Sequence, residues 1–290
     1  MKQFEIVTDS TCDLGLAWLE EHEVTMVPLS VFCGEDVYLD QIEITPEQYY
    51  ERMLASEKLP HSSQPSPENF LKAFQGLADA GATKVLSIHI AEVLSGTANS
   101  ARIAATMLDG CDVTVYDSCR VTISHGIMVR EAVRMRDAGE SLEATLEHLD
   151  KLKSAIQLYV VPETLENLVK NGRLSKLAGG AIALLGIKLV IVLDEEGALT
   201  PKYKVRGTKR AFASVLKDLE ELYPTHEPLL VQGLTVRNPE GCDALVSQVE
   251  AAGFPIERLE DTSAGPVIAT HAGLGLVALA VVAQSALYQG

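Results

Sequence analysis

The sequence has few aromatic residues and few positive charges. Aromatic residues make up 5% of the 290 residues and hydrophobic residues 47%, which is typical of a globular protein with an aliphatic core. The 24 lysines and arginines are outnumbered by 40 aspartates and glutamates, so the formal net charge is -16 at pH 7. This charge repels phosphate backbones and anionic membranes. General nucleic-acid binding is therefore not expected unless basic residues cluster locally.

The sequence also lacks paired cysteines and paired metal ligands. Its five cysteines are Cys12, Cys33, Cys111, Cys119 and Cys242. An odd, scattered set without a CxxC pair argues against a disulfide framework and against structural zinc, and we interpret these residues as reduced thiols. His89, His125 and His271 lie far apart with no metal-ligand spacing around them, so no metal site is expected.

No apolar run is long enough to cross a bilayer. The two longest are residues 178–193, interrupted by Lys188, and residues 273–288. Each falls short of the roughly 20 residues that a membrane span needs, so burial or a ligand channel is expected. Residues 1–7 lack the basic start, apolar stretch and cleavage site of an export signal. A cytoplasmic location is expected.

Strand-like and helix-like segments alternate in the first half. The predicted strands are residues 4–7, 85–90 and 113–116. The helices predicted to follow them are residues 14–21, 99–108 and 124–137. Polar loops separate each strand from its helix. The pattern predicts an α/β fold with a parallel sheet covered by helices, which binds ligands at the carboxyl ends of its strands.

A second domain is expected because the chain exceeds the usual size of one core. After a helix at residues 142–154 the pattern changes. The predicted strands are residues 157–161, 189–193, 203–206, 229–233 and 256–259. The predicted helices are residues 210–222 and 243–252. We predict an N-terminal α/β domain over residues 1–156 and a C-terminal α/β domain with a mixed sheet over residues 157–290.

Small hydroxyl residues follow the predicted strands of the first half. They are Ser10, Thr11, Ser62, Ser63, Ser95, Thr97 and Ser118. Helix N-termini favour a carboxylate or phosphate, and hydroxyls add hydrogen bonds without charge. Each residue could instead simply cap a helix. Ser95-Gly96-Thr97 stands out because Gly96 allows close backbone approach to a bound group, although a tight turn explains the glycine nearly as well.

A serine nucleophile would need a base and an oxyanion hole, and no GxSxG elbow is present. His271 follows a strand-like segment at residues 265–270 and is expected in a loop that faces a ligand. It is better suited to donate to an anionic head group than to activate a serine, and an ordinary structural role is the alternative. Gly273-Leu274-Gly275 has neither GxGxxG spacing nor a Walker lysine, so nucleotide binding is not expected.

Basic residues concentrate in the second half. They are Lys170, Arg173, Lys176, Lys202, Lys204, Arg206, Lys209 and Arg210. A solvated face is the ordinary interpretation. Against an acidic background, the same residues could form a local site for phosphate or an acidic partner.

Seven sequence blocks occur in the order found in one protein family. They are Thr8-Asp9-Ser10-Thr11-Cys12-Asp13-Leu14, Ser62-Ser63-Gln64-Pro65-Ser66, Leu94-Ser95-Gly96-Thr97, Tyr116-Asp117-Ser118, Asn167-Leu168 with Gly172-Arg173-Leu174, Lys204-Val205-Arg206, and Gly265-Pro266-Val267-Ile268 leading to His271-Ala272-Gly273. Together they resemble the DegV family, whose members include the fatty-acid-binding subunit of bacterial fatty acid kinase. The resemblance runs the length of the chain.

The resemblance implies a carrier rather than an enzyme. It implies two α/β domains with a long-chain fatty acid buried between them, its carboxylate held by the N-terminal domain. The residues matched to carboxylate binding are Ser62, Ser63, Ser95, Gly96 and His271. Arg173 and Arg206 match residues linked to the kinase or to the acyl-phosphate step. A partner fatty acid kinase would supply ATP and metal.

Two positions depart from the family pattern. The family commonly has threonine at the position of Ser62, which keeps the hydroxyl, and the segment at residues 189–191 lacks the usual proline. The apolar run at residues 178–193 is a candidate wall for the acyl tail, with an ordinary core helix and strand as the alternative. The competing functions are a serine hydrolase or acyltransferase using Ser95 or Ser63 with His271, and a regulatory protein whose lipid is incidental.

Overall fold

The structure, a computed structural model, describes residues 2–174 and 186–290. The strands are β1 Glu5–Asp9, β2 Val24–Val27, β3 Ser30–Cys33, β4 Asp36–Leu39, β5 His61–Ser63, β6 Lys84–His89, β7 Asp112–Asp117, β8 Gln157–Val161, β9 Ile187–Leu193, β10 Leu199–Arg206, β11 Leu229–Thr235, β12 Ile256–Arg258, β13 Thr262–Ser263 and β14 Val277–Ala283. The helices are α1 Leu16–Glu21, α2 Pro46–Ala55, α3 Pro67–Asp79, α4 Thr97–Ala105, α5 Thr122–Asp137, α6 Leu142–Ala155, α7 Glu166–Lys170, α8 Thr208–Leu222, α9 Pro239–Ala251 and α10 Pro266–Ala272. None of these described helices is long and apolar enough to cross a lipid bilayer.

The first sheet is parallel and has the strand order β2-β1-β6-β7. Helices cover both of its faces, so β1 buries neighbouring aliphatic side chains on opposite sides. Ile6 joins the core that includes Ile127 of α5, whereas Val7 joins the core that includes Phe70 and Phe74 of α3. The predicted parallel sheet with covering helices is confirmed.

The second sheet is mixed, with the strand order β10-β9-β8-β14-β11-β12, and β13 also pairs with β11. Adjacent strands are antiparallel except that β12 and β13 run parallel to β11. Along β14, Ala278, Ala280 and Val282 join the core shared with the first half, whereas Val277 and Leu279 join the core under α8 and α9. The predicted mixed sheet is confirmed, and one of its faces points toward the N-terminal half.

The sequence patterns did not predict a third, small sheet. It is antiparallel with the order β4-β3-β5, and both β3 and β5 contact α10. Ser62 and Ser63 therefore lie within a strand, not in a loop after one as predicted. The three residues of β5 are all polar, so they carry no hydrophobic alternation from which a strand could be recognised.

Residues 266–270 are helical, which corrects the strand-like interpretation of residues 265–270. Pro266 begins α10, and proline suits the first turn of a helix because its missing N–H would have no partner there. His271 consequently lies in the last turn of a helix rather than in a loop. The later run at residues 277–283 is β14, an inner strand whose seven residues are all buried, which explains its unbroken apolar sequence.

The segment suggested as a wall for the acyl tail, residues 178–193, lies partly outside the described residues. Its described end contributes β9, which pairs with β10 and β8. The boundary after residue 156 remains a prediction. The second sheet takes its first strand, β8, from Gln157 onward, directly after α6 ends at Ala155.

Candidate functional site

A mostly apolar cavity lies between the first half of the chain and the second sheet. Leu29 and Ile90 line it from the first half, and Val160, Leu234 and Ala278 line it from the sheet. Among the residues that the structure describes, its few polar side chains are Ser62, Ser95, Thr122, Arg173 and His271. An amphipathic molecule with one polar end fits this distribution.

Ser62 and His271 form the central polar contact of the cavity. Ser62 Oγ lies 2.8 Å from His271 Nε2. The contact forms because β5 pairs with β3 beside α10, which brings together residues 209 positions apart. Side chains alternate along a strand, so Ser62 turns inward, while His61 and Ser63 on either side are exposed.

Burial, together with the nearby charge of Arg173, lowers the pKa of His271 to about 3. The imidazole is therefore neutral near pH 7, with one nitrogen carrying hydrogen and the other accepting. Its Nδ1 is buried and has no hydrogen-bond partner among the described residues. If Ser62 donates to Nε2, the Nδ1–H is free; if Nε2–H donates to Ser62, the hydroxyl hydrogen is free. The pair thus has one hydrogen left for a ligand in either arrangement.

Ser95 lies in the loop between β6 and α4, and its Oγ is 2.8 Å from Thr97 Oγ1. Gly96 is the N-cap residue of α4 and supplies no side-chain cap. Its φ of -73° is available to any residue, so no left-handed turn requires a glycine here. A Cβ at this position would lie 2.3 Å from Gln64 Oε1. A larger residue here would require the flexible end of the Gln64 side chain to shift.

Arg173 is the cation among the described residues that line the cavity. Its Nε donates to the Leu94 carbonyl at 3.3 Å and its Nη1 to the Asn171 carbonyl at 2.6 Å. No carboxylate in the described ranges forms an ion pair with it, and burial lowers the pKa of its guanidinium. A half-buried positive charge without a counter-ion is a suitable partner for a ligand carboxylate.

The structure brings together some of the predicted site residues and separates others. Ser62, Ser95, Arg173 and His271 line the same cavity. Ser63 is exposed on the opposite side of β5, and exposed Arg206 ends β10, so neither lines the cavity. Strand alternation separates Ser63 from Ser62.

Sequence reasoning missed the side chains that hold α10 in place. Asn167 Nδ2 and Asn171 Nδ2 donate to the Thr270 carbonyl at 2.9 and 3.2 Å. Thr270 directly precedes His271, and its hydroxyl lies 2.5 Å from that of Tyr49. Asn167 belongs to one of the family blocks, but no local pattern links residues about 100 positions apart to one carbonyl.

A serine, a histidine and an aspartate form a second chain of hydrogen bonds deep in the first sheet. Ser87 Oγ lies 2.6 Å from His89 Nε2, and His89 Nδ1 lies 3.0 Å from Asp9 Oδ2. Burial alone would raise the pKa of Asp9, but His89 and His125 outweigh it and lower that pKa to about 2. All three linked side chains are fully buried and lie outside the cavity lining. The arrangement resembles a catalytic triad, but it is closed to substrate.

Comparison with known proteins identifies the family. The family model described as "Uncharacterised protein, DegV family" matches residues 3–284. The chain belongs to the DegV family. A DegV domain-containing protein of Halalkalibacterium halodurans is 32% identical over 279 residues, which cover 96% of this chain and 98% of that protein.

Solved DegV structures share the fold over nearly the whole chain. A DegV family protein from Thermus thermophilus, described as fatty acid binding, superposes with a TM-score of 0.90 at 33% identity and covers 98% of this chain and 100% of its own. The Streptococcus pneumoniae fatty acid kinase B3 protein, loaded with linoleic acid, gives a TM-score of 0.82 at 25% identity, covering 96% and 99%. In the described part of this DegV chain, no group of three or more histidine, cysteine, aspartate or glutamate residues could hold a metal ion.

Proposed function

We propose that this DegV protein binds one long-chain fatty acid and presents its carboxylate to a partner fatty acid kinase. The observation that carries the proposal is the distribution of polarity in the cavity. Ser62, Ser95, Arg173 and His271 supply donors and a charge, while most of the remaining lining is aliphatic. The fatty acids described for DegV structures of similar fold support the same ligand class.

The carboxylate would receive hydrogen bonds from the Ser62–His271 pair, from Ser95 and from the backbone beside Gly96. A buried carboxylate is costly unless it is paired and hydrogen-bonded. Arg173 offers the compensating charge, and the neutral His271 does not compete as a second cation. A group that is anionic at neutral pH therefore suits this end of the cavity.

Burial of the hydrocarbon tail would supply most of the affinity. Each buried methylene contributes about 0.8 kcal/mol. A partly enclosed tail of about sixteen carbons would retain several kcal/mol after the costs of ordering and association. The aliphatic lining of the cavity supports such a ligand.

The proposed presentation to a kinase rests on the likeness to the S. pneumoniae protein and on the exposed basic end of β10. Arg206 is exposed there, well placed to meet an acidic partner surface. In this proposal Arg173 contacts the ligand and Arg206 contacts the kinase. Phosphoryl transfer would take place in the partner, so this chain would act as a carrier.

A serine hydrolase is the second candidate, because a serine and a histidine are in contact. The serine is Ser62, however, rather than Ser95 or Ser63. His271 Nδ1 has no carboxylate to orient it in the part of the chain that the structure describes, whereas a catalytic histidine needs such a partner. A fluorophosphonate probe should leave the protein unlabelled, and stoichiometric labelling of Ser62 would favour the hydrolase.

Native mass spectrometry tests the carrier function directly. The purified protein should carry one fatty acid, which denaturing lipid analysis would identify. Changing Ser62 and Ser95 together to alanine should weaken retention by about tenfold or more, because two hydrogen bonds to a charged group are lost. Ser63→Ala is the matched control, since Ser63 lies outside the cavity. Equal retention in all variants would contradict the assigned head-group site.

A further inference from the structure

One row of side chains crosses the floor of the cavity on three adjacent strands. Ala278 of β14 pairs with Val160 of β8 on one side and with Leu234 of β11 on the other. All three line the cavity. Paired residues on neighbouring strands point to the same face, so the small alanine lies between two larger side chains. The result is a trough along β14, with walls on strands that are each about 4.8 Å away.

Among the described residues of β14, the cavity lining ends at this row. Leu276 lies two residues before Ala278, just ahead of β14, and Ala280 lies two residues after it on the same face of the strand. Leu276 lines the cavity, whereas Ala280 is fully buried and is not part of the lining. Ala278 is therefore the last β14 residue that a ligand in the trough would contact.

This row also lies on the apolar side of the cavity. Leu276 follows His271 by five residues, and Ala278 lies two residues further along the chain, which is about 7 Å in extended backbone. The polar side chains that line the cavity come from β5, α5, α10 and the loops around Ser95 and Arg173, and none comes from the second sheet. A ligand whose acid group contacts Ser62 and His271 would direct its hydrocarbon toward this floor.

We infer that Ala278, between Val160 and Leu234, limits the length of the acyl chain that the cavity accepts. The inference rests on the proposed function and adds a determinant of chain-length selectivity to it. A larger side chain at residue 278 would occupy the space of the last methylenes of the tail. Each methylene left outside the apolar site lowers affinity by about fourfold.

Competition among saturated acids tests this inference on the full-length protein. Delipidated wild type, Ala278→Val and Ala278→Leu would each receive an equimolar mixture of lauric, myristic, palmitic and stearic acids, with the bound acid read by native mass spectrometry. Ala278→Leu should shift the distribution toward shorter acids, by about fifteenfold for each acid that is two methylenes too long. Ala278→Val should give a smaller shift in the same direction.

Ala280→Val is the matched control. Ala280 lies on the same strand face, so its enlargement should lower the melting temperature by overpacking while leaving the chain-length distribution unchanged. Circular dichroism would establish that each variant is folded. A wild type that binds no acid would contradict the proposed function itself.

Two results would overturn the inference while leaving the proposed function intact. In one, wild type binds fatty acid and folded Ala278→Leu keeps the wild-type distribution. In the other, folded Ala278→Leu loses acids of every length equally, which would place Ala278 across the path of the tail rather than at its end.

Discussion

At the scale of single residues, the side chains at the head-group end of the cavity are suited to bind an anion rather than to act as nucleophiles. Ser62, Ser95 and His271 are uncharged donors, and Arg173 is the positive charge among them. In the described part of the chain, the guanidinium is fixed by two carbonyl groups rather than by an acid. It is thus held in position without being neutralised.

Arg173→Gln should weaken fatty-acid retention by about tenfold or more, because the carboxylate would lose its charged partner. Arg206→Gln is the control, since Arg206 is exposed and lies outside the cavity lining. Isothermal titration of delipidated protein with palmitate would measure both. NMR titration of Arg173→Gln should also show a higher His271 pKa than in wild type, because Arg173 contributes to lowering it. Equal affinities in the two variants would show that Arg173 does not contact the ligand.

At the scale of secondary-structure elements, the turn between β9 and β10 packs against loops of the first sheet. Gly197 has a φ of +89°, and a Cβ there would lie 2.6 Å from Ala91 Cβ and 2.7 Å from the Cys119 carbonyl oxygen. Ala91 and Cys119 belong to loops after β6 and β7. The close approach of this turn to those loops explains why glycine is required.

Gly197→Ala should lower the free energy of unfolding by about 2 kcal/mol or more, since it combines backbone strain with a clash against backbone atoms. Gly34→Ala is the matched control. Gly34 also has a positive φ, of 68°, in the turn between β3 and β4, but a Cβ there would meet no atom within 4 Å. Gly34→Ala should lower the free energy of unfolding by about 1 kcal/mol. Urea denaturation would measure both, and equal costs would contradict the close contact at Gly197.

Some secondary-structure elements could be predicted from the sequence, and others could not. β1, β6, β7 and β8 are rich in aliphatic, β-branched and aromatic residues, and they lie close to the predicted positions. β5 is polar and was missed. Residues 265–270 were interpreted as a strand, although the proline and the nearby sheet favour the short helix α10. Short elements that are stabilised by tertiary contacts carry a weak local signal.

At the scale of the whole molecule, buried acids join the two halves of the chain. Asp13 Oδ1 accepts the Gly265 N–H at 2.8 Å, and Asp40 Oδ1 accepts the Val267 N–H at 3.3 Å. Burial raises the pKa of Asp13 to about 7, despite hydrogen bonds from Thr122 and Gly265. Burial likewise raises the pKa of Asp40 well above its usual value.

Asp13→Asn should make stability less dependent on pH. Between about pH 4 and pH 7 folded Asp13 holds a proton that the unfolded chain has lost, so its contribution to stability falls as pH rises. Each pH unit of increase in this window lowers the free energy of unfolding by up to about 1.4 kcal/mol. Asparagine cannot ionise, so the substitution should remove the contribution of Asp13 to the slope of the free energy of unfolding against pH. Urea denaturation at several pH values would measure the difference, with the exposed Asp109→Asn as control; identical slopes in wild type and Asp13→Asn would contradict the prediction.

The sequence alone determined the α/β class, the positions of the main strands and the family. These follow from local hydrophobic runs and from short blocks that keep their order along the chain, both of which can be read without any contact between distant residues. Four of the proposed ligand-contacting side chains, Ser62, Ser95, Arg173 and His271, were already among the candidates.

Only the tertiary structure decided how these residues are arranged. The pairing of β5 with β3 turned Ser62 toward His271 and left Ser63 exposed, and the register of β8, β14 and β11 placed Ala278 between two larger side chains. Strand register and the packing of α10 depend on contacts between residues far apart in the sequence. Local patterns do not encode these contacts, and this is the physical reason why the shape of the cavity could not be predicted from the sequence.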